Sequence, residues 1–189
     1  RAETGAWQRG QLVLHPSAEH GFSGPDPARA SGIIPLAIPP AMVFTGTSVD
    51  VSRLVGVHFG VTAPAAVLPI AQALVVEMGG EPVWIAEERR PLYHAALAGG
   101  ANHLVTLVVE SMDLLRAAGV EEPGSMLGPL LGAALDNALR LGMNGLTGPV
   151  ARGDAGTGAG HVRAISRGFP AGMRAYLALA RPTAHRAAA

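Results

Sequence analysis

The chain has 189 residues, room for one large domain or two small ones, and 49% of them are apolar, enough to build a core. Fourteen basic residues balance fourteen acidic ones and no basic stripe carries interleaved aromatics, so a nucleic-acid surface is not expected. There is no cysteine, which removes disulfides, thiolate nucleophiles and Cys-ligated zinc; the polar start and the apolar runs broken by Gly, Pro or charge predict neither a signal peptide nor a membrane span.

Residues 11–15, QLVLH, read as a short buried strand, followed by a turn-rich stretch over 16–32. A second apolar run covers 33–38, and 42–46 reads as a third extended piece. Residues 55–61, VGVHFGV, form a strand by their β-branched content. Thr62 then reads as the N-cap of a helix over 63–78, with Pro64 in its first turn and Gly79-Gly80 ending it. Residues 82–85 read as a further strand, so this half is α/β.

The pattern changes near residue 88. A long helix is predicted over 90–118, interrupted at Gly99-Gly100, with Leu104, Leu107, Val108, Met112 and Leu115 on its apolar face. A second helix over 124–141 places Met126, Leu127, Leu130, Leu131, Leu135 and Leu139 on its buried side. Glycine-rich 155–166 and then 170–181 read as two more helices. The domain division is therefore 1–88, α/β, and 89–189, all-helical. The helices carry more apolar surface than they can bury in one another, which points to a homodimer through this part.

The candidate site residues gather at loops and helix starts. His15 closes a strand, where open α/β sheets bind ligands, and can donate a proton or hold an anion; Ser17 and His20 share its loop. Tyr93 and His94 open the long helix beside the domain boundary, and Asn102 follows as an amide that can hold a substrate carbonyl or a carboxamide. Asn137 braces the loop LTGPVARGD (146–154). There Thr147 offers a hydroxyl, Arg152 a fork of donors for a carboxylate, and Asp154 either an ion pair with Arg152 or a helix cap; His161 lies on the helix that follows. No GxSxG or HExxH pattern is present, so neither a serine hydrolase nor a metal site is expected.

Five segments taken together resemble the Rossmann-like and DUF2520-domain proteins: LHPSAEHG (14–21), PPAMVFTG (39–46), FGVTA (59–63), YHAALAGGANHLVTL (93–107), and LTGPVARGD with His161. These are distant relatives of the pyrroline-5-carboxylate, ketopantoate, 3-hydroxyisobutyrate and 6-phosphogluconate dehydrogenases and reductases. The resemblance implies the C-terminal part of a Rossmann-like NAD(P)-binding sheet joined to a helical 6-phosphogluconate-dehydrogenase-like domain. The main cofactor-binding motif, a GxGxxG turn, is then expected outside this chain. It also implies a cytoplasmic oxidoreductase that moves a hydride between NADP (or NAD) and a small carboxylate-bearing oxo or imino acid. His94, His15 and Asn102 are its catalytic candidates. Tyr93, Asn137, Thr147, Arg152, Asp154 and His161 stand on the substrate side, and His15, Ser17 and Phe44 on the cofactor side. Neither nucleic acid nor membrane is an expected partner. The alternatives are a non-catalytic NADP-binding sensor or dimeric scaffold, and a helical interaction module.

Overall fold

The computed structural model describes residues 7–21 and 32–188; the expected turn-rich stretch falls in part on 22–31, outside the described residues. The elements run β1 (Leu12–His15), β2 (Ile34–Ala37), α1 (Val49–Arg53), β3 (His58–Val61), α2 (Leu68–Glu77), β4 (Glu81–Trp84), α3 (Arg90–Ala117), α4 (Pro123–Leu141), α5 (Ala155–Gly168) and α6 (Met173–Ala187). An N-terminal α/β part with two small parallel sheets gives way to a helical part, as a Rossmann-like domain joined to a helical domain would. The chain divides into two compact units, Arg1–Asn102 and His103–Ala189.

In the first unit β1 and β2 run parallel, with Leu12 opposite Ile34 and His15 opposite Ala37. β3 and β4 also run parallel, His58 opposite Glu81 and Val61 opposite Trp84, and α2 supplies the crossover that a parallel pair needs. The two pairs are joined because the chain leaving β2 turns antiparallel to β3. Ala37 and Thr62 exchange both amide hydrogen bonds, at 3.0 and 2.9 Å. Gly60 donates to the Pro39 carbonyl and Ala41 to that of His58. Pro39 and Pro40 have no N–H to give, so their neighbours carry the ladder.

The core lies where these strands meet α2: Leu36, Ile38, Phe59, Val61, Ala63, Ala71 and Val75, with Leu54, Val57, Val67 and Leu68 packed against it. α2 begins later than the expected helix. Its N-cap is Val67, and Thr62 is not a cap but a buried residue just past β3, bridged to Ala37. Gly79, at φ +78°, ends the helix as expected. The expected extended piece at 42–46 is irregular, because the amides of Thr45, Gly46 and Thr47 turn onto the carboxylate of buried Asp50 at 2.8–3.3 Å. β1 is less buried than expected: Leu12 and Leu14 are exposed.

α3 begins in the first unit, continues into the second and is unbroken through Gly99-Gly100, and the helices that follow it fall near their expected places. With the 3-10 turn at 87–89 that leads into α3, residues 87–117 form a continuous helical stretch of 31 residues, and an 18-residue window of it, of mean hydropathy 1.2, is long and apolar enough to cross a membrane by length and composition. Asn102, His103, Thr106 and Glu110 recur along it as polar positions. On α4 the expected buried side is mostly open. Leu127 is buried and Leu131 half-buried, but Met126, Leu130, Leu135 and Leu139 are exposed, the last at 79%. Prolines sit inside α4 (Pro129) and α6 (Pro182).

Leu36 is fully enclosed at the junction of the two strand pairs. Leu36→Ala should cost about 2–5 kcal/mol in a urea unfolding series. A loss below about 1 kcal/mol would place the core elsewhere.

Candidate functional site

The carboxyl ends of β1 and β3 bring several polar side chains together within the first unit. His15 ends β1, and its Nε2 donates to the Gly21 carbonyl at 3.2 Å across the intervening loop. A carbonyl can only accept, so in the neutral ring the proton sits on Nε2 and Nδ1 is the acceptor. Burial is the largest influence on the ring and lowers its pKa below the ordinary 6.5; the Gly21 carbonyl opposes this, while Arg90 and His20 add to it and Glu87 opposes it. His15 is accordingly neutral at pH 7.

Tyr93, in the first turns of α3, lays its ring against β3 at Gly60. A Cβ on Gly60 would come 2.6 Å from the Tyr93 hydroxyl, so only glycine leaves room for the ring there. Burial raises the Tyr93 pKa, outweighing the nearby Arg90 charge and the Gly60 backbone, which lower it. The phenol is thus a neutral group at physiological pH. His94 is half-buried, and as the next residue on a helix it faces a different direction from Tyr93.

Arg90 is 1% exposed. Its Nη1 donates to the Thr62 hydroxyl at 2.6 Å and to the Gly60 carbonyl at 3.3 Å, and Nη2 donates to the Ser17 carbonyl at 3.0 Å. Thr62 in turn donates to the Ile85 carbonyl at 2.6 Å. Burial pulls the guanidinium pKa down from its usual value, with Glu87 and Tyr93 favouring the charge; an arginine nevertheless stays protonated. The side chain of Ser17 accepts from the His20 amide, so it closes its own turn.

The sequence reading singled out His15 and Ser17 at the end of a strand and Tyr93 at the start of the long helix, and the structure brings His15, Ser17 and Tyr93 into one unit with Arg90 and Thr62, which that reading did not single out as site residues. Arg90 closes the run EERR, in which nothing marks the residue that turns inward. Thr62 is a lone hydroxyl in an apolar strand, a pattern equally suited to a cap. Of the other candidates in this unit, Phe44 is 54% exposed in the irregular segment before α1, and Asn102 is exposed on α3.

The remaining candidates lie in the second unit. Asn137 is half-buried on α4, with its carbonyl against Gly145. Thr147 and Arg152 are exposed, and the Arg152 amide closes a turn onto the Gly148 and Pro149 carbonyls. Asp154 resolves the choice between ion pair and cap. It caps α5, accepting from the Thr157 amide at 2.9 Å and the Thr157 hydroxyl at 2.7 Å, and these bonds hold its pKa below the usual carboxylate value. His161 Nδ1 lies 2.9 Å from the Tyr176 hydroxyl with the rings nearly perpendicular. Tyr176 also lines a cavity of about 610 Å³ between α3 and α6, walled mainly by Leu107, Leu114, Leu179 and Ala178, with Glu110 among its few polar groups. Among the described residues no group of three His, Asp or Glu side chains is placed to hold a metal ion.

Residues 57–183 match the family model described as "Domain of unknown function (DUF2520)". Among solved structures, protein TM1727 from Thermotoga maritima is similar at 22% identity with a TM-score of 0.75, covering 93% of this chain and 68% of that one. BF3122 from Bacteroides fragilis, provisionally named an NADP oxidoreductase, is similar at 19% identity and TM-score 0.71, covering 92% of this chain and 65% of that one. The chain thus spans about two thirds of the length of either, and at these identities the likeness shows the fold. No curated protein matches the chain.

The lowered His15 pKa has a definite sign in stability. Between the folded value and the unfolded value near 6.5 the unfolded chain binds more protons, so stability should fall as pH drops through that window and level off below it. NMR titration should give a His15 midpoint below 6.5, and His15→Gln should flatten the pH dependence of unfolding there. A midpoint at or above 6.5 would refute the buried, neutral imidazole.

Proposed function

The chain belongs to the DUF2520 family, and from that premise we propose that it is part of an oxidoreductase moving a hydride between NADP (or NAD) and a small carboxylate-bearing oxo or imino acid. The observation that carries this reading is the strand-end cluster. His15 and Tyr93 gather at the carboxyl ends of parallel strands, where open α/β sheets bind their ligands. The provisional name of the Bacteroides fragilis protein supports the choice of cofactor.

The residues present suit one end of such a cofactor. A neutral imidazole with an acceptor nitrogen and a neutral phenol offer the mixed donors and acceptors that a carboxamide and a nicotinamide face require. Among the described residues no GxGxxG turn leads from a strand into a helix, so we place the pyrophosphate cradle outside this chain. The cofactor, when bound, supplies or accepts the hydride. His15 and Ser17 stand on its side in this reading, and Phe44 is assigned there too.

A proton must accompany the hydride at the acceptor heteroatom. We assign it to His94 or His15, directly or through water; neutral His15 is suited to accepting a proton in the oxidative direction. Asn102 holds the carbonyl, and Tyr93, Asn137, Thr147 and His161 line the substrate side. Arg152 grips the carboxylate, supplied by the second subunit of a homodimer. The cap made by Asp154 weighs against direct substrate contact by that residue. The same reading takes 1–88 as the remainder of the dinucleotide-binding domain and 89–189 as the substrate and dimerisation domain, acts in the cytoplasm where nicotinamide cofactors are recycled, and needs neither membrane nor nucleic acid. The exposed apolar residues of α4 support the dimer.

Titrating NADPH and NADH against the full-length protein should give micromolar binding of one of them, read by nicotinamide fluorescence, and His94→Ala should lower kcat about 10²–10⁴-fold if it moves the proton. Binding without turnover of any oxo or imino acid would favour the sensor; no binding would end the oxidoreductase reading. Light scattering should give twice the monomer mass, and Leu130→Glu with Leu139→Glu should return it to one. A concentration-independent monomer would remove the dimer.

A further inference from the structure

We infer that Arg90 is the positioning residue of the proposed site: its guanidinium fixes the loop over 16–21 to the end of β3 and so sets where His15 and Ser17 stand. This deepens the oxidoreductase reading and rests on it. The argument begins with placement. A side chain that is 1% exposed brings a full charge into the interior, a costly choice unless its donors are used. The donors are divided between segments far apart in sequence: Nη1 faces β3 through the Gly60 carbonyl and the Thr62 hydroxyl, and Nη2 faces the loop through the Ser17 carbonyl.

The guanidinium plane therefore acts as a spacer of fixed width between strand and loop. Thr62 extends the hold to the residue after β4, since its own proton goes to the Ile85 carbonyl. Nε is buried without a hydrogen-bond partner, so the side chain is seated for its two Nη groups at the expense of the third donor position. Lysine could not reproduce this, because one ammonium on a flexible stem cannot span both acceptor sets in a fixed plane. His15 leaves the strand directly into the clamped loop, and the charged and titratable groups facing it are Arg90, Glu87 and His20.

The test uses Arg90→Lys, Arg90→Gln and Thr62→Val in the full-length protein. Amide exchange of residues 17–21 should quicken at least tenfold in both Arg90 variants, with Leu36 still protected, and the His15 midpoint measured by NMR should move up toward 6.5. Thr62→Val, which retains the charge but removes one acceptor, should quicken loop exchange to a smaller degree and keeps the test open if an Arg90 variant loses Leu36 protection. Full rescue by lysine, or an unchanged loop in Thr62→Val and Arg90→Gln, would overturn the clamp. Nicotinamide affinity should fall about tenfold in Arg90→Lys; a loosened loop with unchanged affinity and kcat would make the clamp structural and overturn its positioning role. The exchange and titration readouts need no cofactor. A wild-type protein that fails to bind nicotinamide would therefore defeat the oxidoreductase reading, and the positioning role with it, while the clamp itself stood or fell on the loop.

Discussion

The paired hydrogen bonds between Ala37 and Thr62 are the join on which the first unit depends. Each parallel strand pair is too small to bury a face alone. Running residues 37–41 against 58–62 makes one layer of the two pairs and encloses Leu36, Ile38 and Val61 at the seam. The same join sets the position of the Thr62 hydroxyl. With its backbone held by Ala37, the side chain can link Ile85 to Arg90. Packing and polar architecture thus share one residue, and the guanidinium is tolerated inside because acceptors are already fixed around it.

The second unit is organised differently. Its helices have local stops and caps, such as Asp154 at α5, but little enclosed apolar surface: among the described residues, Leu127 and Ile165 are its buried large side chains. Helix propensity contributes little by itself, and most helical stability comes from covering an apolar face. Leu104, Leu107, Leu130 and Leu139 leave that covering incomplete within one chain.

How much could be read beforehand follows from where the information resides. Strands β1, β2, β3 and β4 were legible because runs such as LVLH and HFGV have β-branched or aromatic content between turn signals. The end of α2 was legible from Gly79, which sits at positive φ. Thr62 was misread because a threonine before Ala-Pro is locally a good cap, and only its nonlocal partner Ala37 decides otherwise. Residues 42–46 were misread because the pull of Asp50 on three amides depends on a turn geometry that composition does not encode. Within the site, His15 and Tyr93 stood out by residue type, whereas Arg90 did not: its partners are two backbone carbonyls and a hydroxyl, none of which leaves a pattern in the sequence. On α4 the periodicity correctly identified an apolar face but could not say that the face stays open.

Pro182 has a consequence for the cavity beside α6. A proline has no amide proton, so the carbonyl four residues earlier, that of Ala178, lacks its usual helical donor. Ala178 lines the cavity and is exposed, so its carbonyl is left to find a donor from outside the helix. A smooth hydrocarbon surface laid over that wall would deny the oxygen such a donor at a cost of about 1–3 kcal/mol. A surface presenting a hydroxyl, amide or guanidinium at that point would not. One missing proton in α6 thereby adds an acceptor to a wall that already holds Glu110 and Tyr176, favouring an occupant that brings a donor to it.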